Sequence, residues 1–482
     1  MNIRYVSFSL ILITFFAMFS AFGQFNGTWS CNYVTDDNEA NGIGINCPSV
    51  GVISENTFVA LAYNTDGTTN FLVGYTNADS VNGRMGFYPY NGGWHQNWVF
   101  GFGKVEMMGA VSIAATADSL IYVANNDASR NILVFKMDQD SVVSSKYRLA
   151  TGTDSLWAIA VDDNGIVYVS TYKDSTTPGT IMVFNSIKND NNWGGLHKGT
   201  PISTITMPEP GLISGIATNS DGSVIYASNS NTKKVYCFTG SPTNGYTNYQ
   251  GFNFTLKDSL TDAGNAIDVT TWGLGFMKDK NLLVVACDKD FRPGHDVPIY
   301  EYGRLYFLNP NDGTVLDTID EAAWNYSVEG SYQNHNTGHA SGYTSVYSVA
   351  FDQNDNTYCQ SYFGWTVDKW TFSGTLPTIP LTITGIKVQP GQVPTHFNLS
   401  QNYPNPFNPT TTIEFSIKKS SNISLSIYDI NGRLVTKLIN SAYFESGSYK
   451  INFDASKLAS GTYIYVLKNG TQELSKKMTL LK

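Results

Sequence analysis

The sequence predicts an all-β protein: a six-bladed β-propeller, with seven blades as the alternative, followed by a C-terminal Ig-like β-sandwich. Three observations lead there. A strand–turn–strand pattern recurs six times at intervals of about 50 residues, the period of a propeller blade. Charged residues make up only 14% of the 482, while 43 glycines, 29 tyrosines and 27 phenylalanines favour short strands and tight turns over helices. A Pro-rich stretch then precedes a final run of short extended segments.

Residues 1–23 read as a secretory signal peptide. Arg4 gives the positive end, Val6 to Phe19 an apolar stretch, and Ala21 and Gly23 the small residues before a cleavage point at Gln24. The apolar stretch is short for a membrane span, and no later run reaches the length of one. The expected product is secreted, with no transmembrane helix in the mature chain.

Residues 24–375 carry the repeat. Its first strand is read in Ala60-Leu61-Ala62-Tyr63, Ser112-Ile113-Ala114-Ala115, Ala158-Ile159-Ala160-Val161, Gly215-Ile216-Ala217-Thr218, Gly273-Leu274-Gly275-Phe276 and Ser348-Val349-Ala350-Phe351. The starts are spaced 52, 46, 57, 58 and 75 residues apart. Polar turns such as Asp162-Asp163-Asn164-Gly165 follow, then a second strand (Val167-Tyr168-Val169) and a third (Ile181 to Phe184). The small third residue suits inner strands that converge on an axis. Residues 25–58 precede the first copy and are expected to supply the outer strand of the last blade. The pattern Ile159 to Val169 with Ile181 to Phe184 resembles NHL and YVTN-type propellers. That resemblance implies the fold, while such propellers serve as scaffolds, binders, lactonases and lyases.

Residues 376–396, with Pro377, Pro380, Pro390 and Pro394, read as a semi-extended linker. Residues 397–482 then alternate short strand-like runs with turns at Asn431-Gly432, Ser446-Gly447 and Asn469-Gly470. The motif residues are Asn402, Pro404, Asn405, Pro406, Phe407, Asn408 and Pro409, then Gly432-Arg433, then Gly461 and Tyr463, ending in Ser475 to Lys482. In this order they resemble the type A C-terminal sorting domain of the type IX secretion system of Bacteroidetes. The resemblance implies a partner, the type IX machinery at the outer membrane, and delivery to the medium or the outer cell surface.

Net charge is divided unevenly. Residues 24–396 hold 34 acidic against 19 basic residues, and residues 397–482 hold 5 against 10. An acidic body argues against nucleic acid as partner. Of five cysteines none makes C-x-x-C; Cys31 and Cys47 are the candidates for a disulfide.

For chemistry, the two expanded loops of one class are 288–302 and 329–345. They bring forward Asp288, Asp290, His295, His335 and His339 as a candidate ligand or metal rim. P-loop, G-x-S-x-G and H-E-x-x-H patterns are absent. The small residues that begin the inner strands are not ligands, which favours a secreted binder or surface scaffold for an extracellular ligand, carbohydrate or protein. The alternative is a metal-dependent, lactonase-like hydrolase or lyase. No catalytic residue, cofactor or metal identity follows from the sequence.

Overall fold

The computed structural model describes residues 25–34, 46–63, 70–75, 107, 109–127, 131–138, 141–150, 155–186, 195–262, 265–289, 301–329, 344, 346–361, 366–383, 387–388, 396–419, 421–444, 447–456 and 458–482. The signal-peptide reading falls outside them. Six sheets form the blades, antiparallel except where Gly195–Lys198 joins the blade 2 sheet parallel to Ser141–Ala150. Their inner strands are Asn46–Ser54, Ser112–Ala115, Ser155–Val161, Ile213–Thr218, Val269–Met277 and Val346–Phe351. Each inner strand lies beside the next, and the sixth lies beside the first, so the ring closes with six blades.

The first inner strand corrects the sequence reading. Ala60 belongs to the second strand of blade 1, Thr57–Tyr63, and Phe71 to the third, Asn70–Tyr75. The inner strand is Asn46–Ser54, whose Ser49-Val50-Gly51-Val52 aligns with Ser112-Ile113-Ala114-Ala115. Ala60-Leu61-Ala62 mimics the pattern because a central strand, buried on both faces, also takes small and aliphatic residues.

Placing Ser49 correctly shows why the first and third positions are small. Both face the following blade. Ser49 Oγ accepts the Ile113 amide at 3.1 Å, Ser112 Oγ the Ile159 amide at 3.4 Å, and Ser348 Oγ the Val50 amide at 3.4 Å. Where glycine replaces serine, backbone moves in: a Cβ on Gly215 would lie 2.6 Å from the Leu274 nitrogen, and one on Gly273 2.5 Å from the Tyr347 oxygen. At the third position a Cβ on Gly51 would meet the Ala115 Cβ at 2.8 Å. Second-position residues Val50, Ile113, Ile159, Ile216, Leu274 and Val349 are buried.

Closure uses the N-terminus, as expected; among the described residues it runs through Trp29–Val34. This strand pairs antiparallel with Thr366–Phe372, Trp29 opposite Phe372 and Val34 opposite Asp368, and is the outer strand of blade 6. Trp29 stacks on Phe307 of blade 5 at 4.7 Å and donates its indole N–H to Asp317 at 3.0 Å. Thr28 and Ser373 are joined through the Thr28 amide at 2.9 Å.

The linker reading is also corrected. Residues 374–383 are strapped onto the propeller. Leu376 and Ile383 are only 6% and 4% exposed and join the hydrophobic clusters of blades 5–6 and 4–5. The Ile379 amide bonds the Lys280 carbonyl at 2.8 Å, and Asn281 and Asn311 donate to the carbonyls of Ile379 and Pro380 at 3.0 and 2.9 Å. Prolines suit this role, since an extended strap has no ladder to complete. Lys387–Val388 already pairs with Gly447–Asp454 of the C-terminal domain.

That domain is a sandwich of two four-stranded sheets. One orders Lys387–Val388, Gly447–Asp454, Thr410–Ile417 and Asn398–Leu399; the other orders Leu434–Phe444, Ser421–Asp429, Gly461–Lys468 and Glu473–Leu480. Alternating residues such as Ile413, Phe415, Ile417, Leu425, Ile427 and Tyr465 fill the space between them. Among the described residues the one helix is Glu321–Glu329, capped by Asp320, whose carboxylate accepts the Ala323 amide at 2.9 Å.

Candidate functional site

The inner strands run along a central channel. Its half nearer the first hairpin turns holds a cavity of about 580 Å³ lined by all six inner strands. Aliphatic side chains, among them Ile113, Ile159, Ile216, Leu274 and Val349, make its wall. Turn residues make its mouth: Asp118, Asp162, Asp163, Asp279, Asp352 and Asp355, with Lys278.

Two of these carboxylates are engaged within their own hairpins. Asp162 Oδ1 accepts the Ile166 amide at 2.8 Å, and Oδ2 the Tyr168 hydroxyl at 3.4 Å. Asp352 accepts the amides of Asn354 and Asn356 at 2.8 and 3.1 Å and the Tyr358 hydroxyl at 3.0 Å. This explains the Asp–Tyr spacing of the repeat: the aspartate closes its own turn and anchors the tyrosine of the next strand. Burial pushes the Asp162 carboxyl above the usual carboxylate range, and Ile166 and Lys278 pull it back. Lys278, from the blade 5 turn, pairs with Asp163 in the blade 3 turn, while Lys280 pairs with Asp355 at 2.9 Å. In the sequence these turns read only as polar connections between strands. The signal that marks them is position: each directly follows an inner strand.

Asp288, the one described residue of the candidate rim, lies toward the opposite end, in the last residues of Leu282–Lys289. Of the five rim residues, Asp290, His295, His335 and His339 lie outside the described residues. Asp288 is 1% exposed at the end of Leu282–Lys289, and its carboxylate accepts the amides of Lys289 and Val346. It therefore ties blade 5 to the first strand of blade 6. Burial pushes its carboxyl well above the ordinary value, and nearby Glu321 adds to this. Glu321 is itself buried, accepting from the Cys359 thiol at 3.2 Å. Among the described residues no three His, Cys, Asp or Glu side chains stand together to hold a metal. The Cys31–Cys47 pairing rests on the Cys47 side chain, outside the described residues.

In the sandwich the motif residues are structural ties. Asn402 is buried, donating to Thr411 Oγ1 at 2.9 Å while its amide bonds the Tyr465 hydroxyl at 2.8 Å. Asn405 accepts the Thr479 amide at 2.9 Å, Phe407 enters the core, and the Leu481 amide bonds the Phe407 carbonyl at 2.9 Å. The Pro-rich motif is thus laid along the last strand. Gly432 turns the Ser421–Asp429 hairpin at φ 77°, and Arg433 pairs with Asp429 at 2.7 Å. Tyr463 bonds the Ala459 carbonyl at 2.8 Å. Tyr403 and Ile430 stand outward, 81% and 70% exposed.

Residues 401–480 match the family described as secretion system C-terminal sorting domain. No curated protein sequence matches the chain. Among solved structures it is similar to a gluconolactonase from Xanthomonas campestris, with 10% identity over 72% of this chain and 90% of that one and a TM-score of 0.36. It is similar too to the calcium-binding protein regucalcin from Agrobacterium tumefaciens, with 11% identity, 74% and 98% coverage and a TM-score of 0.38. A family AA12 carbohydrate-active enzyme from Trichoderma reesei gives 10%, 72%, 96% and 0.42. Likenesses this distant bear on no function; the propeller rests on the strand pairing itself. The chain is a six-bladed propeller carrying a type IX sorting domain, and so a protein exported to the medium or the outer cell surface.

Proposed function

We propose that the propeller is the working part of an exported binding protein, and that it takes its extracellular ligand at the turn side of the channel. The observation behind this is the cavity lined by all six inner strands, apolar within and polar at the mouth. Pockets of this size and make-up are the usual form of small-ligand sites. The sorting domain acts in export, and its ties are internal to the sandwich.

A chain ending at Ile383 keeps the strap and should be retained in the periplasm with an unchanged propeller melting midpoint. A chain ending at Phe372 loses Leu376 and Ile383 and should be destabilised by about 3–6 kcal/mol. Purified full-length protein, screened against oligosaccharides and small amphiphiles, should lose its ligand when Ala117, at the mouth, becomes Trp. Unaltered binding by Ala117→Trp would place the ligand elsewhere.

A further inference from the structure

The cavity holds a cation of the protein's own. Lys278 reaches from the blade 5 turn to Asp163 of blade 3, passing the whole of blade 4. Asp163 is held in place for it, because its amide bonds the Ser220 carbonyl of the blade 4 turn at 3.0 Å. Both residues line the mouth, above the aliphatic wall of Ile159, Ile216 and Leu274. We infer that the turn side of the channel is a site for an amphipathic cation, a primary ammonium on an apolar tail, whose charge takes the place Lys278 now fills at Asp163.

This rests on the cavity being the ligand site and adds the ligand's chemistry. Three features support it. Lys278 and Asp163 side chains are 32% and 58% exposed, so their pair is weak and open to displacement. The remaining mouth carboxylates oppose an anion, and the second lysine of these turns, Lys280, is engaged by Asp355. An ammonium seated at Asp163 would leave its tail against the wall, where burial adds to charge attraction. A ligand reproducing the lysine's ammonium and four-carbon stem would therefore find both halves of its environment present.

The test is calorimetric titration of the full-length protein with n-octylammonium, 1-octanol and octyl sulfate. Octylammonium should bind, more weakly as salt rises. Lys278→Met removes the internal competitor and should tighten it by about tenfold, while Asp163→Asn should weaken it by about tenfold. Octyl sulfate should not bind. Equal affinity for octylammonium across the wild type and both variants would overturn the inference, as would octyl sulfate binding as well as octylammonium. If 1-octanol binds and the ammonium gives no advantage, the cavity remains a ligand site and only the ligand's charge is wrong. If none of the three binds wild type or Lys278→Met, the cavity reading falls too. Melting curves of both variants should match the wild type, since the pair is surface-exposed.

Discussion

The seam between blades 5 and 6 and the first hairpin turns solve the same problem, satisfying buried polar groups, in different ways. At the turns the partners are local: Asp352 bonds residues two, four and six positions on. At the seam they are distant: Asp288 bonds Val346, and Asp317 of blade 5 bonds Trp29. A local turn stands or falls with one hairpin. The seam holds the N-terminal strand and the last blade against blade 5, so its loss frees the segments that close the ring. The repeat encodes turns because they recur within each copy; nothing periodic encodes the seam.

Deleting residues 25–34 is the strongest way to break that contrast. It removes the outer strand of blade 6, the Trp29 stack on Phe307 and the cover over Thr366–Phe372. Loop closure between distant segments is lost, and an edge strand is bared. The expected result is several kcal/mol of destabilisation with aggregation on heating, read by calorimetry and light scattering. An unchanged melting midpoint would mean that the ring does not depend on this strand.

Asp288→Ala should come next, at about 3 kcal/mol, because two backbone amides lose their acceptor in a buried place. Asp352→Ala should cost less, about 2 kcal/mol, and confine its damage to the blade 6 turn by hydrogen exchange. Asp288 should also make stability depend on pH. Burial raises the folded pKa of Asp288. The folded state therefore holds that proton more tightly than the unfolded chain. Its contribution is complete below the ordinary carboxylate value of about 4 and is lost as pH rises through the folded pKa. Asp288→Asn should flatten this part of the stability–pH curve. A wild-type slope in that variant would assign the dependence to other buried acids, such as Asp162 and Asp317.

What the sequence made legible follows the same division. The blades, the turn motif, the N-terminal closure and the sandwich were readable because each has a period, a spacing or a motif. Blade 1 was misplaced by one strand because Ala60-Leu61-Ala62, in a central strand, shares the small–aliphatic alternation of an inner one. In the sequence the strap reads as a linker, since prolines mark extended chain whether or not it is docked; Leu376, Ile379, Leu381 and Ile383 are the signs of burial. Asp288 was chosen for its loop, yet it sits one residue before the strand's end, where its carboxylate turns inward. The cavity mouth is not legible because its residues come from four turns far apart in sequence.

The smallest effect sharpens the comparison most, because it adds to a turn what its sister turns already have. In blades 3 and 6 an aspartate accepts the hydroxyl of the following strand's tyrosine: Asp162 for Tyr168, Asp352 for Tyr358. In blade 2 the aspartate is replaced by Thr116, whose hydroxyl donates to the Asp118 carboxylate and lies 3.3 Å from the Leu120 carbonyl, and the buried Tyr122 hydroxyl has no hydrogen-bond partner. Thr116→Asn should supply an uncharged acceptor, as Asn219 does for its own turn in blade 4 through the Val224 amide at 3.0 Å. A gain of about 1 kcal/mol is expected. Thr116→Asp should match it in acid but lag as pH rises, because burial raises the carboxyl of its counterpart Asp162 and the same cost would apply here. Tyr122→Phe removes the hydroxyl that wants the acceptor, so in that background both gains should vanish. Melting of the four proteins of the Thr116→Asn, Tyr122→Phe cycle isolates the pair. A gain that survives Tyr122→Phe would show that the new side chain acts on the turn backbone and not on Tyr122.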